Sequence, residues 1–131
     1  MSRILALDFG EARCGCALSD PTGTLATPIG AVPDPGTRRG LKELASIVRG
    51  NEVARVVVGL PLTLSGEEGR QAQATRDFVK RLEELVAVPV ELYDERYTTR
   101  QAEQTGGGAD ADSRAAAHLL EAYLEATGRP A

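Results

Sequence analysis

The sequence is poor in the groups that most often announce a site, with one histidine and two cysteines in 131 residues. Cys14 and Cys16 stand two apart, and no second cluster of Cys or His completes a zinc site. On a strand, where side chains alternate, they share a face, so they read as a pair of reduced structural thiols. A cationic excess is missing too. Fifteen Lys and Arg against 19 Asp and Glu leave a formal net charge of −4 and a pI near 5.0. That balance argues against a broad basic surface for nonspecific nucleic-acid binding. It leaves room for a site that gathers carboxylates and holds an anionic partner through divalent cations. There is no long apolar run at the N-terminus, because Ile4-Leu5-Ala6-Leu7 is cut off by Asp8, too short for a signal peptide or a membrane span. A cytoplasmic protein with no membrane partner is expected. Internal repeats and long linkers are absent, so residues 1–131 are expected to form a single domain.

What is present is an ordered series of short elements. Arg3 to Asp8 reads as a buried strand, Cys14 to Ser19 as a second, and Thr24 to Val32 as a third, the last two separated by the turn signal Asp20-Pro21-Thr22-Gly23. After Pro33-Asp34-Pro35-Gly36, the spacing of Leu41, Leu44, Ala45, Ile47 and Val48 predicts an amphipathic helix. Arg55 to Leu60 reads as a strand buried on both faces, as parallel strands are when helices cover them. A helix over about Glu67 to Val86, a strand over Val88 to Tyr93, a short helix from Thr98 through Glu103 and a final helix over about Asp112 to Ala126 complete the series. A three-strand meander followed by alternating helices and strands gives an α/β fold: a mixed five-stranded sheet covered by helices, distinct from the strict alternation of a Rossmann domain.

Three acidic positions stand out. Asp8 closes the Ile4 to Leu7 run, where a buried carboxylate must be paired, hydrogen-bonded or metal-bound; its plainer reading is an Asp8-Phe9-Gly10 turn. Asp94-Glu95-Arg96 closes the last strand, where open α/β sheets usually place ligands, and its plainer reading is a surface ion pair of Glu95 with Arg96 or a nearby base. Asp112 lies within about 60° of Ala115, Ala116, Leu119 and Tyr123 at 100° per residue, so it shares the face that packs on the sheet. It could equally cap that helix. If the strands lie side by side the three acids converge, and three oxygen donors with little nitrogen or sulfur suit Mg²⁺ or Mn²⁺. The chemistry such a site supports is phosphodiester hydrolysis. The histidine, His118, falls about 240° around the helix from Asp112 and reads as a surface or packing residue.

Leu5-Ala6-Leu7-Asp8-Phe9-Gly10 with Arg13, Gly15, Ala17, Ser19 and Asp20, then Val57-Val58-Gly59-Leu60-Pro61 with Gly66 and Gly69, form two groups of motifs. Asp94-Glu95-Arg96-Tyr97-Thr98-Thr99 with Ala102-Glu103, and Asp112 with Ala115-Ala116 and Tyr123-Leu124, form two more. In this order and spacing they resemble the YqgF/RuvX family of pre-16S rRNA nucleases, formerly described as Holliday junction resolvases, across nearly the whole chain. The resemblance implies an RNase H-like fold and divalent-metal nuclease activity in processing the 5′ end of pre-16S rRNA. It also implies catalytic, metal-binding carboxylates at Asp8, Glu95 and Asp112, with Arg13 and Arg96 near the site to hold substrate phosphate. One stretch departs from the pattern: lysines often precede the last aspartate in relatives, whereas Gly106-Gly107-Gly108-Ala109-Asp110-Ala111 has none, which weakens the expected phosphate contacts there.

The expected partner is therefore nucleic acid, structured RNA or branched DNA, with monomer and homodimer both open. A resolvase of branched DNA would use the same carboxylates in a dimer presenting two sites to one junction. A non-catalytic assembly factor would be marked by a missing acid, and all three are present. An actin-like or sugar-kinase ATPase, for which Asp8-Phe9-Gly10 and Gly15 would form the first phosphate loop, needs a second such domain and a longer chain.

Overall fold

The computed structural model describes residues 3–97 and 109–127. Its elements are β1 (Arg3–Phe9), β2 (Arg13–Ser19), β3 (Ala26–Pro33), α1 (Arg38–Gly50), β4 (Val53–Leu60), α2 (Arg70–Glu83) and β5 (Val90–Asp94). A single 3-10 turn (Glu95–Tyr97) follows, and then α3 (Ala109–Ala126). The strands form one sheet in the order β3-β2-β1-β4-β5. The two hairpin neighbours, β1 with β2 and β2 with β3, run antiparallel, while β1 with β4 and β4 with β5 run parallel. This is the mixed five-stranded sheet that the order of elements predicts. Its consequence for function is that β1, β4 and β5 all end at one edge of the sheet, so residues far apart in sequence leave their strands together.

The sheet is covered on both faces, and β1 and β4 are apolar from Ile4 to Leu7 and from Val56 to Val58 because each contributes to both layers. Leu5, Leu7, Cys14, Cys16, Val32, Val56 and Val58 face Leu41, Leu44 and Val48 of α1 and Phe78, Val79 and Leu82 of α2. Ile4, Ala6, Ala17 and Val57 face Ala116, Leu119, Leu120, Tyr123 and Leu124 of α3. Fully burying one such leucine contributes about 1.5–3 kcal/mol, so both layers are held chiefly by this non-directional burial. Cys14 and Cys16 are buried thiols on one face, with no disulfide between them. The thiol of Cys14 is held well above its ordinary range by its contact with Cys16 and by burial. No helix among the described residues is long and apolar enough to cross a membrane.

Several element ends differ from the sequence expectation, two of them because side-chain or turn hydrogen bonds outcompete propensity. β3 begins at Ala26 rather than Thr24, since the Asp20 carboxylate takes the backbone N–H groups of Thr24 and Leu25 at 2.8 and 2.9 Å. Those bonds, with the Thr22 and Thr24 hydroxyls, hold the Asp20 carboxyl far below the usual carboxylate range. α2 begins at Arg70 rather than Glu67, because Thr63 and Glu67 close a tight turn first, Thr63 N–H donating to the Glu67 carbonyl at 2.9 Å. α3 starts at Ala109, three residues ahead of expectation, so Asp112 lies inside its first turn and is not its cap. The short helix expected over Thr98 to Glu103 and the Gly106-Gly107-Gly108 break lie outside the described residues.

Candidate active site

Asp8 is the next-to-last residue of β1 and points to the α3 side of the sheet, as Ala6 does. Its partner across the hairpin is Gly15 of β2. Glu95 follows the last residue of β5, and Leu60, the last residue of β4, pairs with Asp94. Asp112 arrives from above on the first turn of α3. The three carboxylates therefore come to the same edge of the sheet from β1, from the end of β5 and from α3.

Two glycines make that approach possible. A Cβ on Gly15 would sit 1.9 Å from the Asp112 carbonyl oxygen, so only glycine lets the backbone of α3 rest on β2 at this point. A Cβ on Gly59 would lie 2.8 Å from Glu95 Oε2, so the bare backbone of β4 is the floor on which the Glu95 side chain lies. Beyond Asp8 the chain runs through Phe9 and Gly10 into the wall of a cavity of about 320 Å³, also lined by Glu11, Arg70, Gln71 and Ala74.

The electrostatics follow from this crowding. Burial, the Glu95 carboxylate, a hydrogen bond shared with Glu95 and the Asp112 charge together push the Asp8 carboxyl up to about 8. Two carboxylates this close share a proton when no cation offsets them. Asp112 has a different partner: Arg13 Nε donates to its Oδ2 at 2.7 Å, with the guanidinium 45% and the carboxylate 32% exposed. Among the described residues no group of three or more acidic, His or Cys side chains is arranged to hold a metal ion.

The ion pair of Glu95 with Arg96 is not formed. Arg96 folds back onto Asp94 instead, its Nη2 and Nε reaching the carboxylate at 2.7 and 3.1 Å, and its Nη1 donates to the Leu64 carbonyl at 3.2 Å. That fork holds the Asp94 carboxyl below its ordinary range and leaves Glu95 turned toward Asp8. His118 contacts Glu121 at 3.3 Å, away from the acids.

Against known proteins, residues 2–126 match the family described as RuvX: Holliday junction resolvase. The chain belongs to this family. A relative from Chloroflexus aggregans, provisionally named a pre-16S rRNA nuclease, is 40% identical over 97% of this chain and 96% of its own. One from Koribacter versatilis with the same name is 38% identical over 96% and 88%. Among solved structures, T. thermophilus RuvC in complex with Holliday junction substrate superimposes with a TM-score of 0.64, covering 98% of this chain and 96% of that one at 12% identity. At that identity the likeness speaks for the fold, which is RNase H-like.

Within this RuvX-family chain, the sequence motifs include Gly15 and Gly59 but give no sign of what each makes room for. Ser113 carries no motif at all. It is buried, and its hydroxyl accepts from the Gly30 N–H at 2.8 Å and donates to the Cys16 carbonyl at 2.9 Å. No local signal betrays such a residue, because both partners lie on strands more than eighty positions away. Arg70 lines the wall of the cavity beside Phe9, which its sequence position at the start of α2 does not reveal.

Proposed function

We propose that this chain is a divalent-metal-dependent nuclease that hydrolyses phosphodiester bonds in structured RNA. The names of its relatives point to pre-16S rRNA; on our reading the substrate is its 5′ end, the role is in ribosome biogenesis and the compartment is the cytoplasm. The observation that carries the reading is the convergence of Asp8, Glu95 and Asp112 at one sheet edge over two strands kept bare by glycine. The donor set fits: oxygen-only, crowded and mutually repulsive carboxylates suit a hard cation, Mg²⁺ or Mn²⁺, better than any nitrogen- or sulfur-seeking metal. When bound, such ions lower the pKa of the attacking water and stabilise the leaving oxygen. The residues of the chain itself hold and orient. Asp8, Glu95 and Asp112 would be the ligands, Arg13 would turn from Asp112 to a substrate phosphate, and Arg96, anchored on Asp94, would present its guanidinium at the rim.

The second reading is a resolvase of branched DNA, favoured by the description of the matching family. It uses the same carboxylates and adds a two-fold dimer with both sites on one face. Cleavage of labelled structured RNA and of branched DNA, by wild type and by Asp8→Asn, with Mg²⁺ or Mn²⁺ and with EDTA, tests both. Metal-dependent cutting that is lost in Asp8→Asn supports the nuclease, and the substrate that is cut chooses the version. Retained binding without cutting of either substrate would refute catalysis and leave an assembly factor.

A further inference from the structure

The third acid reaches the site on a helix, and a helix packed by apolar contact can slide. At its N-terminal end α3 meets the sheet through small side chains, Ala116 and Ala117, with the larger Leu119, Leu120, Tyr123 and Leu124 further along. Apolar burial is non-directional and holds the helix down without fixing its axial position. Hydrogen bonds are directional and do fix it.

We propose that Ser113 is a positioning residue for Asp112: its hydroxyl pins the first turn of α3 into an irregularity of the sheet and so sets where the neighbouring carboxylate stands. The inference rests on the reading of Asp112 as a metal ligand and deepens it. The pairing of β2 with β3 slips between Cys16 and Ala17, where Cys16 lies opposite Gly30 and Ala17 opposite Pro28, leaving Ile29 as the extra residue of a bulge. Gly30 adopts φ +109° there, a conformation that favours glycine. The Ser113 hydroxyl bridges this step, accepting from the Gly30 N–H at 2.8 Å and donating to the Cys16 carbonyl at 2.9 Å. Bulges are places where a strand re-aims its neighbours, and here the gap receives a helix side chain. One residue earlier, the Asp112 carbonyl rests over Gly15. The bridge and the glycine contact together fix both the height of Asp112 above β2 and its place along the strand.

The test measures Mn²⁺ binding by calorimetry, without substrate, on wild type, Ser113→Ala, Leu124→Ala and Asp112→Asn, with the thermal midpoint of each. Leu124→Ala destabilises the same helix at its far end without touching the bulge. Residues that orient a metal ligand typically contribute 10–100-fold to metal affinity. Ser113→Ala is therefore expected to weaken Mn²⁺ binding about tenfold or more, while Leu124→Ala binds as wild type despite a lowered midpoint. Equal weakening in both variants, or none in Ser113→Ala, overturns the positioning role. Wild-type binding by Asp112→Asn would instead overturn the ligand reading, so the two failures are distinguishable. Amide exchange at Gly30 in the wild-type protein checks the pin without any variant: slow exchange is expected, and fast exchange refutes it.

Discussion

Replacing Asp8 by Asn is expected to abolish cleavage and at the same time to stabilise the metal-free protein. The carboxyl of Asp8 stands at about 8 against 3.8 for the free side chain, driven first by burial and then by Glu95. A group that binds its proton more tightly when folded contributes full stability below its unfolded pKa and loses it as pH rises toward the folded value. The metal-free fold should therefore weaken between about pH 4 and pH 8. Each pKa unit corresponds to about 1.4 kcal/mol, so the ceiling on this loss at pH 7 is about 4 kcal/mol. Water reaching a site that is only partly covered reduces it, and a difference of about 1–3 kcal/mol is expected. Asparagine mimics the protonated acid: it is neutral, nearly isosteric, and keeps an N–H to offer Glu95. Urea unfolding in EDTA at pH 4.5 and pH 7.5 would measure the effect. Asp8→Asn should match wild type at the lower pH and exceed it at the higher one, and the difference between the two proteins cancels the titrating groups that do not interact with Asp8. A variant that is less stable than wild type at both pH values would refute the crowding of Asp8.

Gly15→Ala and Gly59→Ala should separate backbone from side-chain obstruction. The new methyl of Gly15→Ala meets the Asp112 backbone at 1.9 Å, so α3 must lift, with a stability loss of about 1–3 kcal/mol by overpacking and a larger fall in cleavage. Gly59→Ala meets the movable end of Glu95, and should cut activity while changing stability by less than about 1 kcal/mol. Thermal denaturation and single-turnover cleavage of the two variants would compare them. Arg13→Gln removes a half-exposed pair with Asp112 and should change stability by less than about 1 kcal/mol, while steady-state kinetics show a raised KM for substrate. Cys14 and Cys16, buried and without a disulfide, should resist thiol reagents in the native protein and react only as it unfolds.

The parts of this fold that could be read from sequence are those where a local pattern carries the long-range fact. β1 and β4 are buried on both faces, so they show as unbroken apolar runs, and a carboxylate that ends such a run, Asp8, is conspicuous. Asp112 was legible for the same reason, since helical spacing puts it on the face of Leu119 and Tyr123. What stayed hidden depends on docking. The hydroxyl of Ser113 and the missing side chain of Gly15 have meaning only once α3 lies across a bulged hairpin about a hundred residues upstream. The choice of Arg96 between its two acidic neighbours was hidden too. It is decided by the turn after β5, which carries the guanidinium back over Asp94 and onto the carbonyl of Leu64.

α3 has two duties that are usually divided between different elements. It covers the apolar face made by Ile4, Ala6, Ala17 and Val57, and it delivers Asp112. A chain in which this helix has come away therefore loses one acid at the moment it exposes that face. On the proposed reading of Asp112 as a ligand, partly unfolded or half-synthesised molecules are in this way disarmed: they expose an apolar face but lack a complete set of acids with which to cut. Folding itself acts as the safety catch on the nuclease.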